Sequence, residues 1–441
     1  MGEEDRVPTC TSRILEAPAT HRSVYCSLAL SRTSESVVCG AMLCYPQLLS
    51  AAALTLPPAP KVFKALDLAV YAADRQRDEL LSGVKRSLLG SDPLDALAKT
   101  EYALPPKIST VAVTGANAGI GREAALFLAQ AGFGVVLCSR DQEKGESTAA
   151  EIRTVSPEAR VSVVPLDLAS VRSVEAAAPL IISAAKELGS PLRGLILNAG
   201  IWPGSLQTTA DGMELALQVC HIGHQQLTQR LLPDLASSSG GAESRVVTVS
   251  SSAHAFADEV GTDDPLYAST AFDTNRNYGR AKFANMLFAQ ELAKRAPPGV
   301  LSTAAHPGLV LTTLFKELGP SYAAASADSP TGRAAVDDRL AGIPALRALQ
   351  SSTPLKAVLK SPQEGCRPLL YALLAPGLPA GGYVADCEVR DISPASKSAA
   401  AREELWQWTE SWLEGALREE AVEAEPLEEC GGDEECGLPS D

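Results

Sequence analysis

The stretch Ile108-Ser-Thr-Val-Ala-Val-Thr-Gly-Ala-Asn-Ala-Gly-Ile-Gly121 sets an apolar β-rich run, a turn with three glycines and the start of a helix in immediate succession. Few folds accept that order. Gly115 allows a tight turn, Gly119 lets the backbone come close to a pyrophosphate, and Gly121 lets the helix lie against the strand. The helix N-terminus then offers unpaired N–H groups and a partial positive charge to a phosphate. A loose glycine pattern alone is weak evidence; its weight here comes from its place after the first strand of a repeating series.

That series continues downstream. Short β-rich runs at 109–114, 134–138, 160–166, 192–198, 245–250 and 300–305 alternate with helical stretches, the first after the glycine turn and through 131, the others starting near 141, 170, 211 and 276. Strands and helices alternating through short loops predict parallel strands with crossover helices on both faces: an α/β, doubly wound parallel sheet of Rossmann type. The segment 316–355, rich in Ala, Ser and Pro, interrupts the rhythm where a lid over the ligand crevice would emerge. Residues 405–417 read as a terminal amphipathic helix.

Flanking segments differ in character. Residues 8–35 are rich in Ser and Thr with Arg13, Arg22 and Arg32, a transit-like composition, although Glu3, Glu4 and Asp5 are wrong for such a signal. Residues 36–60 carry no charge and are long enough to span a bilayer, but Pro46, Gln47 and the Pro57-Pro58 pair dilute them. The expectation is a targeting or membrane-associated extension over 1–60, amphipathic helices over 61–107, and a catalytic body over 108–418. From Glu419 to Asp441 there are ten acids and no Lys or Arg, which reads as a solvated, disordered acidic tail over 419–441.

Charge and cysteine content exclude several classes. Against 53 Asp and Glu stand 38 Lys and Arg, a net charge of −15, so no basic stripe is offered to nucleic acid. The ten cysteines include no C-x-x-C pair and no zinc-ligand spacing, so neither a disulfide scaffold nor a metal site is expected.

Two further constellations carry chemistry. The second strand ends in Cys138-Ser139-Arg140, where an acid would suit a ribose 2′-hydroxyl and a guanidinium suits a 2′-phosphate. Arg140 therefore points to NADP(H) over NAD(H). Tyr278 and Lys282, four apart, share one helix face, and a neighbouring ammonium stabilises a phenolate and lowers its pKa. The pair follows Ser250-Ser251-Ser252, where a hydroxyl could polarise a carbonyl beside the phenol.

Together these residues resemble the short-chain dehydrogenase/reductase family over roughly residues 108–390, and its retinol-dehydrogenase-like and WW-domain-oxidoreductase-like branch in particular. The finer likeness rests on 245–254, 278–292, 306–314 and the H-x-G-H of His221-Ile-Gly-His224. The resemblance implies Tyr278 as general acid/base, Lys282 as its ribose-binding partner and Ser251 as the group orienting the substrate carbonyl. It implies a cofactor site built from Gly115, Asn117, Gly119, Ile120 and Gly121, with Arg140 on the phosphate and Asp167 and Leu168 at the adenine. Asn198, Ala199 and Gly200 would shape its middle, and Pro307, Gly308, Val310 and Thr312 its nicotinamide side. Two departures stand out: Cys220 where the family usually has an Asn supporting a water chain to the lysine, and Ala281 where Ser is common. His221, His224, His254 and His306 read as structural.

The implied function is NADP(H)-dependent hydride transfer between the nicotinamide and a carbonyl/alcohol pair of a lipophilic small molecule. The competing expectations are a non-enzymatic NADPH-binding scaffold or redox sensor, and a carbon–carbon double-bond reductase of protochlorophyllide-reductase type. By analogy a homodimer is expected, with a plastid location first and a cytoplasmic or endomembrane one next.

Overall fold

The computed structural model describes residues 102–238, 243–310 and 360–423. The uncharged 36–60 segment, the helical expectation over 61–101, the lid segment 316–355, Thr312 and the tail beyond Glu423 lie outside the described residues.

Eight strands form one sheet in the order β3-β2-β1-β4-β5-β6-β7-β8. Strands β1 (Thr110–Thr114), β2 (Gly134–Ser139), β3 (Arg160–Pro165), β4 (Leu192–Leu197), β5 (Ser244–Val249) and β6 (Val300–His306) match the six apolar runs and pair in parallel. β1, β2, β4 and β5 are buried along their whole length, which is why they read as continuous apolar runs rather than alternating ones. Strands β7 (Tyr383–Ala385) and β8 (Glu388–Arg390) were not expected. Each has three residues, too few to show a period, and β8 pairs antiparallel with β7 through Asp386 and Cys387, both at positive φ (52° and 59°). Two consecutive left-handed residues make a tight hairpin turn normally built from Asn and Gly, so the sequence carried no signal for it.

Helices α1 (Gly119–Gln130), α2 (Gln142–Val155) and α3 (Val171–Glu187) fill the crossovers between the first four strands. The long helix expected from about 211 to 235 is broken instead. One turn at Leu215–Leu217 runs into a π turn at Gln218–Ile222, closed by Gly223 N–H donating to the Gln218 carbonyl, and α4 follows over Gly223–Ser237. Helix α5 (Thr274–Arg295) precedes β6, and α6 (Arg367–Leu374) packs under the same sheet near Val384. Helices α1 and α6 cover one face of the sheet, and α3, α4 and α5 contribute to the apolar layer on the other.

Both ends of the catalytic body differ from expectation. Residues 102–107, read as part of a separate helical extension, belong to the core: Leu104 is fully buried, and Ala103 N–H donates to the Leu374 carbonyl at 2.9 Å. At the other end α7 (Ala399–Glu423) runs into the segment read as tail, because Glu is a good helix former whatever its charge. Its apolar side carries Leu405 and Leu413 onto Phe283 and Leu287 of α5, and Trp406 stacks on Phe288 at 5.8 Å. Arg295 extends over the Trp406 ring and pairs with Glu403. Among the described residues no helix is long and apolar enough to cross a membrane.

Candidate active site

Strand order reverses direction between β1 and β4, and the loops leaving their carboxyl ends open a crevice there. Thr114, the last residue of β1, ties the two loops together. Its hydroxyl oxygen accepts the N–H groups of Asn198 (2.9 Å) and Ala199 (3.0 Å), while the Asn198 amide donates back to the Thr114 carbonyl at 2.9 Å. His224 lies beneath. Its Nδ1 sits 3.0 Å from the Cys220 carbonyl and must donate to it, so Nε2 accepts the Thr114 hydroxyl proton at 2.9 Å. Burial pushes the imidazole down to about 3, so it stays neutral and this tautomer holds. The histidine is structural, as the sequence suggested, but it orders the floor of the crevice.

The glycine turn answers to its local geometry. Gly115 and Gly119 have φ of +64° and +55°, and a Cβ on Gly121 would stand 2.5 Å from Asn198 Nδ2 and strike the Gly115 carbonyl. Helices α2, α3 and α5 are capped by the side chains of Asp141, Ser170 and Asp273, whereas α1 begins after Ala118 with no side-chain acceptor. The first-turn N–H groups of α1 therefore suit an anion, and these residues fit a dinucleotide pyrophosphate. Asn117 lies in the turn and accepts from Thr148 Oγ1 through its carbonyl, at 3.5 Å.

Around the rim, Arg140 is exposed at the end of β2, and no described residue pairs with its guanidinium. Arg122, in the first turn of α1, is engaged by Glu123 and Glu151. Asp167 is half-buried and its carboxylate accepts the Ala169 N–H at 3.0 Å, fixing the turn that carries Leu168. Pro307 and Gly308 follow β6, with Gly308 at φ +85° against the Lys360 side chain. Lys360 is buried and paired with Asp386 at 2.6 Å, which anchors the strand end to the β7–β8 turn. Val310, expected on the nicotinamide side, is buried, and its side chain, like that of Ile120, packs against Gly365.

On the other side of the crevice, α5 begins at its Asp273 cap and presents Tyr278 and, one turn on, Lys282. Ser250 Oγ–H donates to the Lys282 carbonyl (2.9 Å) and Lys282 Nζ donates to the Val249 carbonyl (3.1 Å), stitching α5 to the end of β5. The next serine, Ser251, faces the phenol and also accepts the Ala253 N–H at 3.2 Å. Lys282 Nζ lies 5.6 Å from the centre of the Tyr278 ring. Gly200 closes the floor; a Cβ there would sit 3.2 Å from Lys282 Nζ and 3.4 Å from Cys220 Sγ. Ser251, Tyr278, Lys282 and the Asn198–Gly200 turn thus share one site.

The electrostatics correct one expectation. Burial pushes the Tyr278 phenol above its ordinary value, with the Cys220 thiol adding to the rise and the Ser251 hydroxyl opposing it. Lys282 contributes no shift to the phenol here, and burial pushes the lysine itself down. The phenol is therefore held in its protonated form. Cys220, where an amide was expected, bridges the Ile201 peptide, accepting its N–H at 3.5 Å and donating to its carbonyl at 3.6 Å.

Two features of the site escaped the sequence reading. Glu214, buried and pushed up by desolvation, accepts the N–H groups of Ala216 and Leu217 and the Asn277 amide at 2.9 Å. Asn277 in turn accepts from the Tyr267 hydroxyl at 3.1 Å, so the residue next to Tyr278 is pinned from two sides. An acid just before an apolar helical run was the available cue for Glu214. Trp202 stacks on Tyr278 with ring centres 4.5 Å apart and planes 8° from parallel. Nothing in its spacing announced that contact, because 76 residues separate the two in the chain. Among the described residues no cluster of His, Cys, Asp or Glu could hold a metal ion.

Comparison with known proteins gives concordant matches. Residues 109–323 match the family model for short chain dehydrogenases. The chain is 38% identical over 303 residues to dehydrogenase/reductase SDR family member 13 of Bos taurus, covering 68% of this chain and 71% of that protein. It is 34% identical to human retinol dehydrogenase 12, over 70% of this chain and 87% of that one. A solved structure from Mycobacterium Paratuberculosis superposes with a TM-score of 0.49 at 27% identity, over 69% of this chain and 93% of that one.

Proposed function

We propose a specific reaction for this chain, which belongs to the short-chain dehydrogenase/reductase family and, within it, to the retinol-dehydrogenase-like branch. Its membership makes it a hydride-transferring oxidoreductase. The reaction is the NADP(H)-dependent interconversion of a carbonyl and its alcohol on a lipophilic small molecule, with Tyr278 as general acid/base. The observation that carries this reading is the cluster of buried Tyr278 and Lys282 with half-buried Ser251, set across the crevice from a glycine turn whose helix has no side-chain cap.

The residues present suit a phosphorylated dinucleotide. Gly115, Gly119 and Gly121 with the N–H groups of α1 would hold its pyrophosphate, Arg140 its 2′-phosphate, and Asp167 and Leu168 its adenine. Asn198–Gly200 and Lys282 would contact the central riboses, and Pro307 and Gly308 the nicotinamide. When bound, the dinucleotide supplies the hydride. The Tyr278 phenol, kept protonated by burial, donates to the carbonyl oxygen as negative charge develops there. Ser251 Oγ–H donates a second hydrogen bond to the same oxygen, an interaction that strengthens as the alkoxide forms. Trp202 gives the substrate side an aromatic wall, consistent with an apolar substrate, and a relative named retinol dehydrogenase fits the same reading.

Arg140 tests the cofactor half. Removing a charge-assisted contact costs about 1.5–3 kcal/mol, so Arg140→Ala weakens NADPH binding by roughly ten- to a hundredfold. The loss for NADH is far smaller, and the NADPH:NADH affinity ratio of the full chain collapses in a fluorescence titration. An unchanged ratio removes the basis for NADP(H) over NAD(H).

A further inference from the structure

We propose that Trp202 is a specificity-determining residue that favours aldehydes over ketones carrying two bulky substituents. The inference rests on the carbonyl chemistry assigned above to Tyr278. It starts from the stack itself: the indole lies nearly parallel to the phenol with 4.5 Å between ring centres, and Tyr278 is only 5% exposed. With that ring face covered, a substrate reaches the phenol at its hydroxyl, beside Ser251.

The indole is also clamped. Trp202 Nε1–H donates to the Thr274 carbonyl at 3.2 Å, and the Thr274 hydroxyl donates back to the Pro203 carbonyl at 2.5 Å. The two bonds join the loop after β4 to the first turn of α5, the helix that carries Tyr278. A clash with this indole is therefore not relieved by a free rotamer change, because moving it breaks a hydrogen bond and unstacks two rings.

A carbonyl accepting from the phenol hydroxyl has two substituents that diverge in one plane from its carbon. One of them is directed over the phenol side of the site, where the indole stands. A hydrogen needs no room beside the indole, and a carbon chain in that direction meets it. The space that Trp202 leaves beside the phenol is thus open to an aldehyde hydrogen and closed to the second arm of a ketone.

The experiment uses the full-length chain with NADPH and a matched pair, octanal and 4-octanone, read as the ratio of their kcat/KM values. A single misfit group in a shaped pocket is worth on the order of ten- to two-hundredfold. Trp202→Ala is therefore expected to lower the aldehyde:ketone ratio at least about tenfold, through both KM and kcat of the ketone, while Trp202→Phe, which keeps a flat ring, holds the ratio near that of the native chain. If the alanine variant does not fold, Trp202→Leu carries the same comparison, with NADPH titration reporting the integrity of the cofactor pocket. An unchanged ratio in an active variant overturns the assignment of Trp202 alone. A native chain that binds NADPH but reduces neither compound overturns the carbonyl reaction and this selectivity with it.

Discussion

Tyr278→Phe is expected to lower turnover by about a hundred- to ten-thousandfold, the usual worth of a positioned acid/base group, while NADPH still binds. The substitution removes one oxygen from a ring that stays stacked on Trp202, so the site keeps its shape. Steady-state reduction of octanal and an NADPH titration on the same variant separate the two effects. The pH dependence follows from the raised phenol. A group that must give up a proton during reduction is competent below its pKa, and burial moves that limit upward. Reduction should therefore hold level through the neutral range and not decline as pH rises mildly above it. Alcohol oxidation needs the same oxygen deprotonated and should accelerate with pH. A decline of reduction through the neutral range would mean that another group supplies the proton.

Gly121→Ala is the second large effect. Its methyl group would stand 2.5 Å from Asn198 Nδ2 and strike the Gly115 carbonyl, and neither neighbour is the free end of a flexible side chain. Asn198 is held by Thr114, and Gly115 is in the left-handed turn. Overpacking of this kind costs about 1–3 kcal/mol of stability. The same shift moves the first turn of α1 away from the position that suits a pyrophosphate. The expected result is a lowered midpoint in chemical denaturation together with NADPH affinity reduced roughly a hundredfold, since about 2.7 kcal/mol of lost contact corresponds to that factor. Normal affinity in a folded Gly121→Ala variant would show that the turn does not hold the dinucleotide.

Much of this arrangement was readable from local pattern. Strands β1, β2, β4 and β5 are buried along their whole length and announce themselves as apolar runs, and the glycine turn announces the first crossover because only glycine relieves its geometry. Tyr278 and Lys282 sit one helical turn apart, so their adjacency needed no tertiary information. What escaped was set by contacts between distant segments. The β7–β8 hairpin is too short for a period and turns on Asp386 and Cys387, which carry no turn signature. The π turn at Gln218–Ile222 has the composition of an ordinary helix. Trp202 meets Tyr278 only because β4 ends and α5 begins at the same mouth of the sheet. The phenol's titration was misjudged for a related reason: spacing along a helix reveals a neighbouring ammonium but not the burial that pushes both groups toward their neutral forms.

The account stands on one event at one place, the delivery of a hydride to a carbonyl held by Tyr278. It is tested most directly by incubating the full-length chain with octanal and NADPH deuterated stereospecifically at the transferable position, then examining the octanol by mass spectrometry. The account predicts one deuterium on the carbinol carbon, formed by the native chain and all but lost with Tyr278→Phe. Binding of the labelled dinucleotide with no deuterium in the product, or equal transfer by the phenylalanine variant, would contradict it.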